Sequence, residues 1–360
     1  MARKPLEITE TPEVDALPGM PLPREQTQLY GHREIEQQLL AAYRSERLHH
    51  AWILGGPKGI GKATLAFRFA RFVMANSDRF SPEVRAATSL HLDPTHTVSR
   101  QIAGGAHPNL LHLRRPWNEK TKHFKTELPV DEVRRTVAFF GTTASDKAWR
   151  ICIVDAADDM NISSANALLK ILEEPPSRCL FLVLSHAPGR LLPTIRSRCR
   201  RIDMPVLAPE DIQSGLNALA PGDLPQNPKA LQDLLKFADG SLRSALGLLS
   251  GDGLTINTGF TQLAETAPDI DVGKLHALAD LVAARGKDDN WQNFHHVSRQ
   301  WIHARLRQDV GQTPARLASW ADLWEKTNRA TADAEALNLD RKQVVLDVFR
   351  NLSKLMRMPS

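Results

Sequence analysis

Ala51-Trp52-Ile53-Leu54, followed by Gly55-Gly56-Pro57-Lys58-Gly59-Ile60-Gly61-Lys62, decides the fold. A short apolar run that stops at Gly and Pro reads as a buried strand. Beyond it, Leu65, Phe69, Phe72 and Val73 recur at helical spacing, so a helix starts near Lys62. Gly56 to Lys62 fills the first seven positions of the phosphate-loop pattern, with the strand before and the helix after that the pattern requires. Gly56, Gly59 and Gly61 let successive N–H groups turn toward one centre and approach phosphate oxygens closely. The helix start adds partial positive charge, and Lys62 reaches the terminal phosphates. A Gly-rich turn without a ligand is the plainer alternative. One position departs from the pattern. The eighth residue, whose hydroxyl ligates Mg²⁺, is Ala63; Thr64 comes one residue late, rotated by roughly 100° on the helix.

Two further strands extend the alternation. Ile151 to Val154 is apolar and ends at Asp155, where phosphate-loop enzymes hold Mg²⁺. The alternative for Asp155 is a polar cap of the following turn. Ala156 and Ala157 stand where a water-orienting glutamate commonly follows. Ser163 to Glu174 reads as a helix stopped by Pro175 and Pro176, and Cys179 to Leu184 as a third buried strand. Strands alternating with helices predict a parallel α/β sheet covered on both faces. The deficits at Ala63 and Ala156 both argue against ATP hydrolysis by this chain alone.

Around this core the organisation changes. Residues 1–24 hold five prolines and little periodicity, which predicts an extended, mobile tail. A helix follows from His32 to Arg44. Residues 76–113 show loop signals and no clear pattern. After Pro209 the strand signals vanish and short helices follow over 209–219, 228–238 and 241–249, with Gly240 as a stop. Ser250-Gly251-Asp252-Gly253 reads as a hinge. The remainder carries helical apolar stripes, among them Trp291, Phe294, Val297 and Trp301.

Composition excludes several classes. At 360 residues, with 42% hydrophobic and 24% charged residues, the chain is globular and large enough for two or three domains. No apolar run is long enough to span a bilayer, and the first residues lack a secretory pattern. Three cysteines are too few for a disulfide framework, which fits a reducing cytoplasm. The net charge of +5 permits a nucleic-acid partner without requiring one.

Arginines cluster after the third strand, at Arg196, Arg198, Arg200 and Arg201. A guanidinium meets phosphate oxygens bidentately and stays charged. Supplied to a neighbouring subunit's nucleotide, it stabilises charge developing in phosphoryl transfer. A solvated basic loop is the alternative. Arg243 stands opposite an apolar helical stripe, from which it either reaches nucleotide phosphates or faces solvent.

The segment Asn166-Ala167-Leu168-Leu169-Lys170-Ile171-Leu172-Glu173-Glu174-Pro175-Pro176, followed by Leu192-Pro193-Thr194-Ile195-Arg196-Ser197-Arg198-Cys199, resembles bacterial clamp-loader subunits of DNA polymerase III. The resemblance covers roughly 25–250. It implies an AAA+ phosphate-loop core over 25–207, a small helical lid over 208–252 and an all-α collar over 253–360. It further implies a hetero-pentameric ring with other clamp-loader subunits, which loads a sliding clamp onto primed DNA within a DNA-directed DNA polymerase holoenzyme. By the family pattern Arg198 is the trans-acting arginine, and Lys62 and Asp155 are remnants of the nucleotide motifs. Ser185 and Arg243 take the two sensor positions, and ATP or ADP binding is weak or absent. Relatives commonly carry a four-cysteine zinc module after the first helix. Here only His91, His96 and His107 remain in that region, so no zinc is expected. The competing readings are an ATP-hydrolysing AAA+ subunit or motor, and a protein that binds DNA directly through its basic loop.

Overall fold

The computed structural model describes residues 12–14, 16–141, 148–308, 313–337 and 339–358, apart from the side chains of 315, 332 and 335–337. The chain divides into two compact units, Met1–Gly215 with Gly240–Leu242, and Leu216–Asp239 with Arg243–Ser360. The first boundary falls eight residues beyond the expected one at 207, and the expected lid is shared between the units.

The first unit runs α1 (Arg33–Arg44), β1 (Ala51–Gly55), α2 (Lys62–Ala75), α3 (Pro82–Ala86), α4 (Thr97–Ala103), β2 (Leu110–Leu113), β3 (Trp117–Asn118), β4 (His123–Phe124) and α5 (Val130–Gly141). It continues with β5 (Arg150–Val154), α6 (Ile162–Glu173), β6 (Cys179–Ser185), α7 (Pro193–Arg196), β7 (Arg200–Asp203) and α8 (Pro209–Leu219), whose end groups with the second unit. Five strands form one parallel sheet in the order β2-β5-β6-β1-β7, in register at Leu111↔Cys152, Ile153↔Leu182, Ile53↔Val183 and Ile53↔Arg201. Every residue of β1 and β6 is buried, which is why both read as continuous apolar runs rather than alternating ones. Leu128, Val133 and Phe140 join Leu168 and Leu172 against one face of the sheet. On the opposite side Tyr43 of α1 meets Phe69 and Phe72 of α2 edge-on.

Two of the five strands were not legible. β2 lies in the unclear stretch 76–113, which also folds as α3 and α4. β7 was read as part of the basic loop. It is an edge strand in which only Ile202 is buried, and its arginines face outward. The Arg200 guanidinium lies 5.0 Å from the Trp52 ring centroid, and Arg201 Nε donates to Asp203 Oδ1 at 2.7 Å.

Residues 1–11 and 15 of the expected tail lie outside the described residues. The rest of it is pinned down. Arg24 Nε donates to Ala103 O at 2.9 Å, buried Arg71 of α2 donates to Gln26 O at 3.0 Å, and Glu13 pairs with both Arg24 and Arg114. Long-range ion pairs and backbone contacts give this segment a fixed path without any periodicity.

The second unit holds α9 (Pro228–Phe237), α10 (Leu242–Leu249) from its second residue onward, α11 (Gly253–Glu265), α12 (Val272–Val282), α13 (Asp288–Gln308), α14 (Pro314–Leu337) and α15 (Arg341–Met356). The predicted stripes meet in one core, where Phe260, Phe294, Trp320, Val345 and Phe349 are buried. Among the described residues no helix is long and apolar enough to cross a membrane.

Candidate nucleotide site

β1 delivers the chain into the phosphate loop at the C-terminal end of the parallel sheet, where open α/β sheets bind ligands. Gly56 cannot be replaced sterically. Its φ is +147°, and a Cβ there would lie 2.4 Å from Met204 O. Gly61, at φ +103°, is the N-cap of α2 and provides no side-chain cap; no acid stands in the first turn. The helix N-terminus therefore keeps its positive end open to an anion. Gly59 also has positive φ, at +81°.

Lys62 is 5% exposed. A buried ammonium must be hydrogen-bonded, and its Nζ donates to Gly56 O at 2.7 Å and Pro57 O at 2.5 Å. Burial pushes its pKa down to about 8, against the attraction of Asp155 and Asp158. An ammonium has three N–H groups, so the loop's own carbonyls take two of them. Ala63 and Thr64, both half-buried, are the next residues of α2.

Asp155 follows β5, with Oδ2 3.6 Å from His112 Nε2. Ser185 ends β6 and is fully buried. Its hydroxyl donates to Asp158 Oδ1 at 2.8 Å. Asp158 also accepts from the backbone N–H of His186 (2.5 Å, Oδ2) and of Ala187 (3.1 Å, Oδ1). One carboxylate thus ties the β5 turn to the end of β6. Sequence reasoning gave Asp158 no role, because its partners are a serine and two amides some 27 to 29 residues away. His186 was missed as well. Desolvation and the nearby Lys62 charge hold it below the usual histidine range, against Asp158. His32, whose Nε2 lies 2.9 Å from Ile60 O, is lowered by burial too.

Arg198 follows α7. It donates through one terminal nitrogen to Thr194 O at 3.0 Å and Ser197 Oγ at 3.3 Å, and the other lies 2.8 Å from Glu173 Oε1. Arg243, on α10, belongs to the second unit. The loop thus gathers Gly56, Gly59, Gly61, Lys62, Asp155 and Ser185 around one strand end, while Arg198 follows α7 ahead of β7, at the other end of the sheet.

Two histidines between residues 91 and 107 serve the backbone. His96 Nδ1 accepts from Val98 N at 3.2 Å as the N-cap of α4, and His107 Nδ1 accepts from Asn109 N at 3.2 Å. Among the described residues no group of three His, Cys, Asp or Glu side chains is placed to hold a metal.

Residues 31–208 match the family described as "DNA polymerase III, delta subunit". The chain is 35% identical over 245 residues to the DNA polymerase III subunit delta' of Pseudomonas aeruginosa, across 68% of this chain and 66% of that protein. The chain belongs to the DNA polymerase III clamp-loader family. Within that family it is also similar to subunit delta' of Escherichia coli, 30% identical over 60% of this chain and 59% of that one. Its match to subunit tau of Bacillus subtilis is 26% identical, over 68% of this chain and 41% of that one. The chain spans just under two thirds of the length of the Pseudomonas relative and less of the others. The family match takes in both the phosphate loop and Arg198.

Proposed function

We propose that this chain is a clamp-loader subunit that scaffolds ATP hydrolysis without performing it. The reading places it in a five-membered ring with other clamp-loader subunits that opens a sliding clamp on primed DNA. The observation that carries it is the internal satisfaction of the nucleotide site. Lys62 is held by the carbonyls of Gly56 and Pro57, and the Ser185 hydroxyl is committed to Asp158. Ala63 offers no hydroxyl to a metal ion.

The donor set fits phosphates better than it fits phosphoryl transfer. A nucleoside triphosphate held by a neighbouring subunit would supply the phosphoanhydride whose hydrolysis drives the ring. In this chain Gly59, Gly61 and the first turn of α2 would bind a nucleotide's phosphates through N–H groups, and Lys62 through its remaining N–H. Asp155 alone remains to hold Mg²⁺, and Ala156 leaves the attacking water without a positioning carboxylate. Nucleotide occupancy here is therefore weak or absent, and the chain contributes to catalysis through Arg198, donated to the nucleotide of the neighbouring subunit. Arg243 takes the lid-sensor position.

The test is DNA- and clamp-stimulated ATP hydrolysis by the reconstituted assembly, wild type against Arg198→Ala, with assembly checked by gel filtration. Loss of rate with assembly intact supports the reading. An unchanged rate returns Arg198 to the ordinary basic surface, and ATP turnover by the lone chain that Lys62→Ala abolishes overturns the scaffold role.

A further inference from the structure

Residues 114–125 are an unusually cationic stretch, with Arg114, Arg115, Lys120, Lys122 and Lys125 against Glu119 alone. They leave the C-terminal end of edge strand β2, the same end at which β1 feeds the phosphate loop. β3 and β4 pair antiparallel here, with Trp117 opposite Phe124 and Asn118 opposite His123. The two aromatic rings meet edge-on at 5.0 Å, and both are half-buried, so part of the pair stays open.

The hairpin is rigid at its tip and at its root. Asn118 closes the turn, its Oδ1 accepting from Lys120 N at 3.0 Å and its carbonyl accepting from Lys122 N at 2.8 Å. Lys122 takes the left-handed conformation, φ +55°. At the root, Lys125 N donates to Pro116 O at 3.0 Å, Leu128 N donates to Asp159 O at 2.8 Å, and Arg115 Nε lies 3.0 Å from Asp159 Oδ2. Arg114 is taken by Glu13. The arginines thus anchor the hairpin, while Lys120, Lys122 and Lys125 are exposed. Glu119 lies 2.8 Å from Lys122 and is itself exposed, so their pair is worth little in water. Lys120 and Lys122 at the tip and Lys125 at the root thus give the hairpin a cationic surface suited to an anion.

We propose that this hairpin is a single-stranded DNA contact, its lysines meeting successive backbone phosphates and the open part of the Trp117–Phe124 pair meeting a base. A polyanion whose charges alternate with flat apolar groups matches a surface that alternates lysines with aromatics. The choice of DNA over an acidic protein rests on the clamp-loader reading.

The test uses the full chain, a labelled oligothymidylate and a salt titration. The variant combines Lys120→Gln, Lys122→Asn and Lys125→Gln; Asn is chosen because it tolerates positive φ. Circular dichroism and the melting temperature check the fold. The expected result is an affinity at low salt reduced at least about tenfold, and a log–log salt slope shallower by about 2, near 0.7 for each lost phosphate contact. Wild-type affinity and slope in the variant overturn the proposal, and so does a wild-type chain that binds no oligonucleotide. Equal competition by polyglutamate also overturns it, in favour of an acidic protein. A variant that assembles normally yet binds DNA like wild type sinks the hairpin alone. A chain that binds DNA through the hairpin but joins no assembly sinks the clamp-loader reading alone.

Discussion

Lys62 and Arg198 are two cations that the sequence directs at phosphates, and the fold treats them in opposite ways. Lys62 is 5% exposed at the start of α2 and fastened to two carbonyls of its own loop. Arg198 sits at the surface after α7, and its one acidic partner, Glu173, has about half its side chain in water. Burial decides the difference. An ammonium inside the protein must find acceptors in its own chain, whereas a guanidinium in a screened surface pair is held by about 0–1 kcal/mol and turns readily to another anion. On the function proposed above, the loop lysine serves its own backbone while the loosely held arginine serves a neighbour.

The largest expected effect lies on the arginine side. Arg198→Ala should lower the turnover at the interface it serves by roughly 10³-fold or more, measured as stimulated ATP hydrolysis of the reconstituted ring; sites that Arg198 does not reach dilute the loss. Lys62→Ala in the same assembly should leave that rate nearly unchanged. Equal losses from both substitutions would abolish the contrast.

On the loop side the effect is on stability. Gly56→Ala places a Cβ 2.4 Å from the Met204 carbonyl oxygen at φ +147°. Neither the backbone oxygen nor the torsion relieves the clash, so about 4 kcal/mol of destabilisation is expected. Urea unfolding reads it directly. A shift below about 1 kcal/mol would mean that the loop is not held rigid as described.

Lys62 gives a pH signature of similar origin. Its pKa falls from 10.5 unfolded to about 8 folded, because burial disfavours the charge. Between those values the unfolded chain binds more protons than the folded one, so stability rises with pH across the window and is lost as pH falls through it. The contribution is on the order of 3 kcal/mol. Lys62→Met should lack it, so the stability difference between wild type and variant should move in favour of wild type from pH 8 to 10.5. A constant difference would show that the ammonium is solvated.

The same contrast between inside and outside explains what the sequence disclosed. β1, β5 and β6 were legible because burial on both faces makes them unbroken apolar runs, and the phosphate loop because its glycines stand at fixed spacing. β7 was hidden because Arg-Arg-Ile-Asp at an edge has a single buried residue. Residues 12–24 lack periodicity, yet Glu13, Arg24 and Arg71 fix them through partners tens of residues distant. Asp158 was invisible for the same reason, since its three hydrogen bonds go to the end of β6. Local chemistry reads from local sequence, whereas polar ties across the fold do not.

The smallest effect sharpens the comparison most. Glu173 lies in the segment that carries the family resemblance, and it pairs with Arg198, their side chains 49% and 35% exposed. If that pair merely parks the arginine, Glu173→Ala should change stability by about 0–1 kcal/mol and leave stimulated hydrolysis close to wild type or slightly higher. If instead the carboxylate aims the guanidinium, the loss should approach that of Arg198→Ala, and the double variant should be no worse than either single one. A double-mutant cycle on assembled ATP turnover separates the two. The exposure of both groups and the donation of the same guanidinium to Thr194 O and Ser197 Oγ favour parking, because those two acceptors hold one terminal nitrogen of the guanidinium in place without the acid.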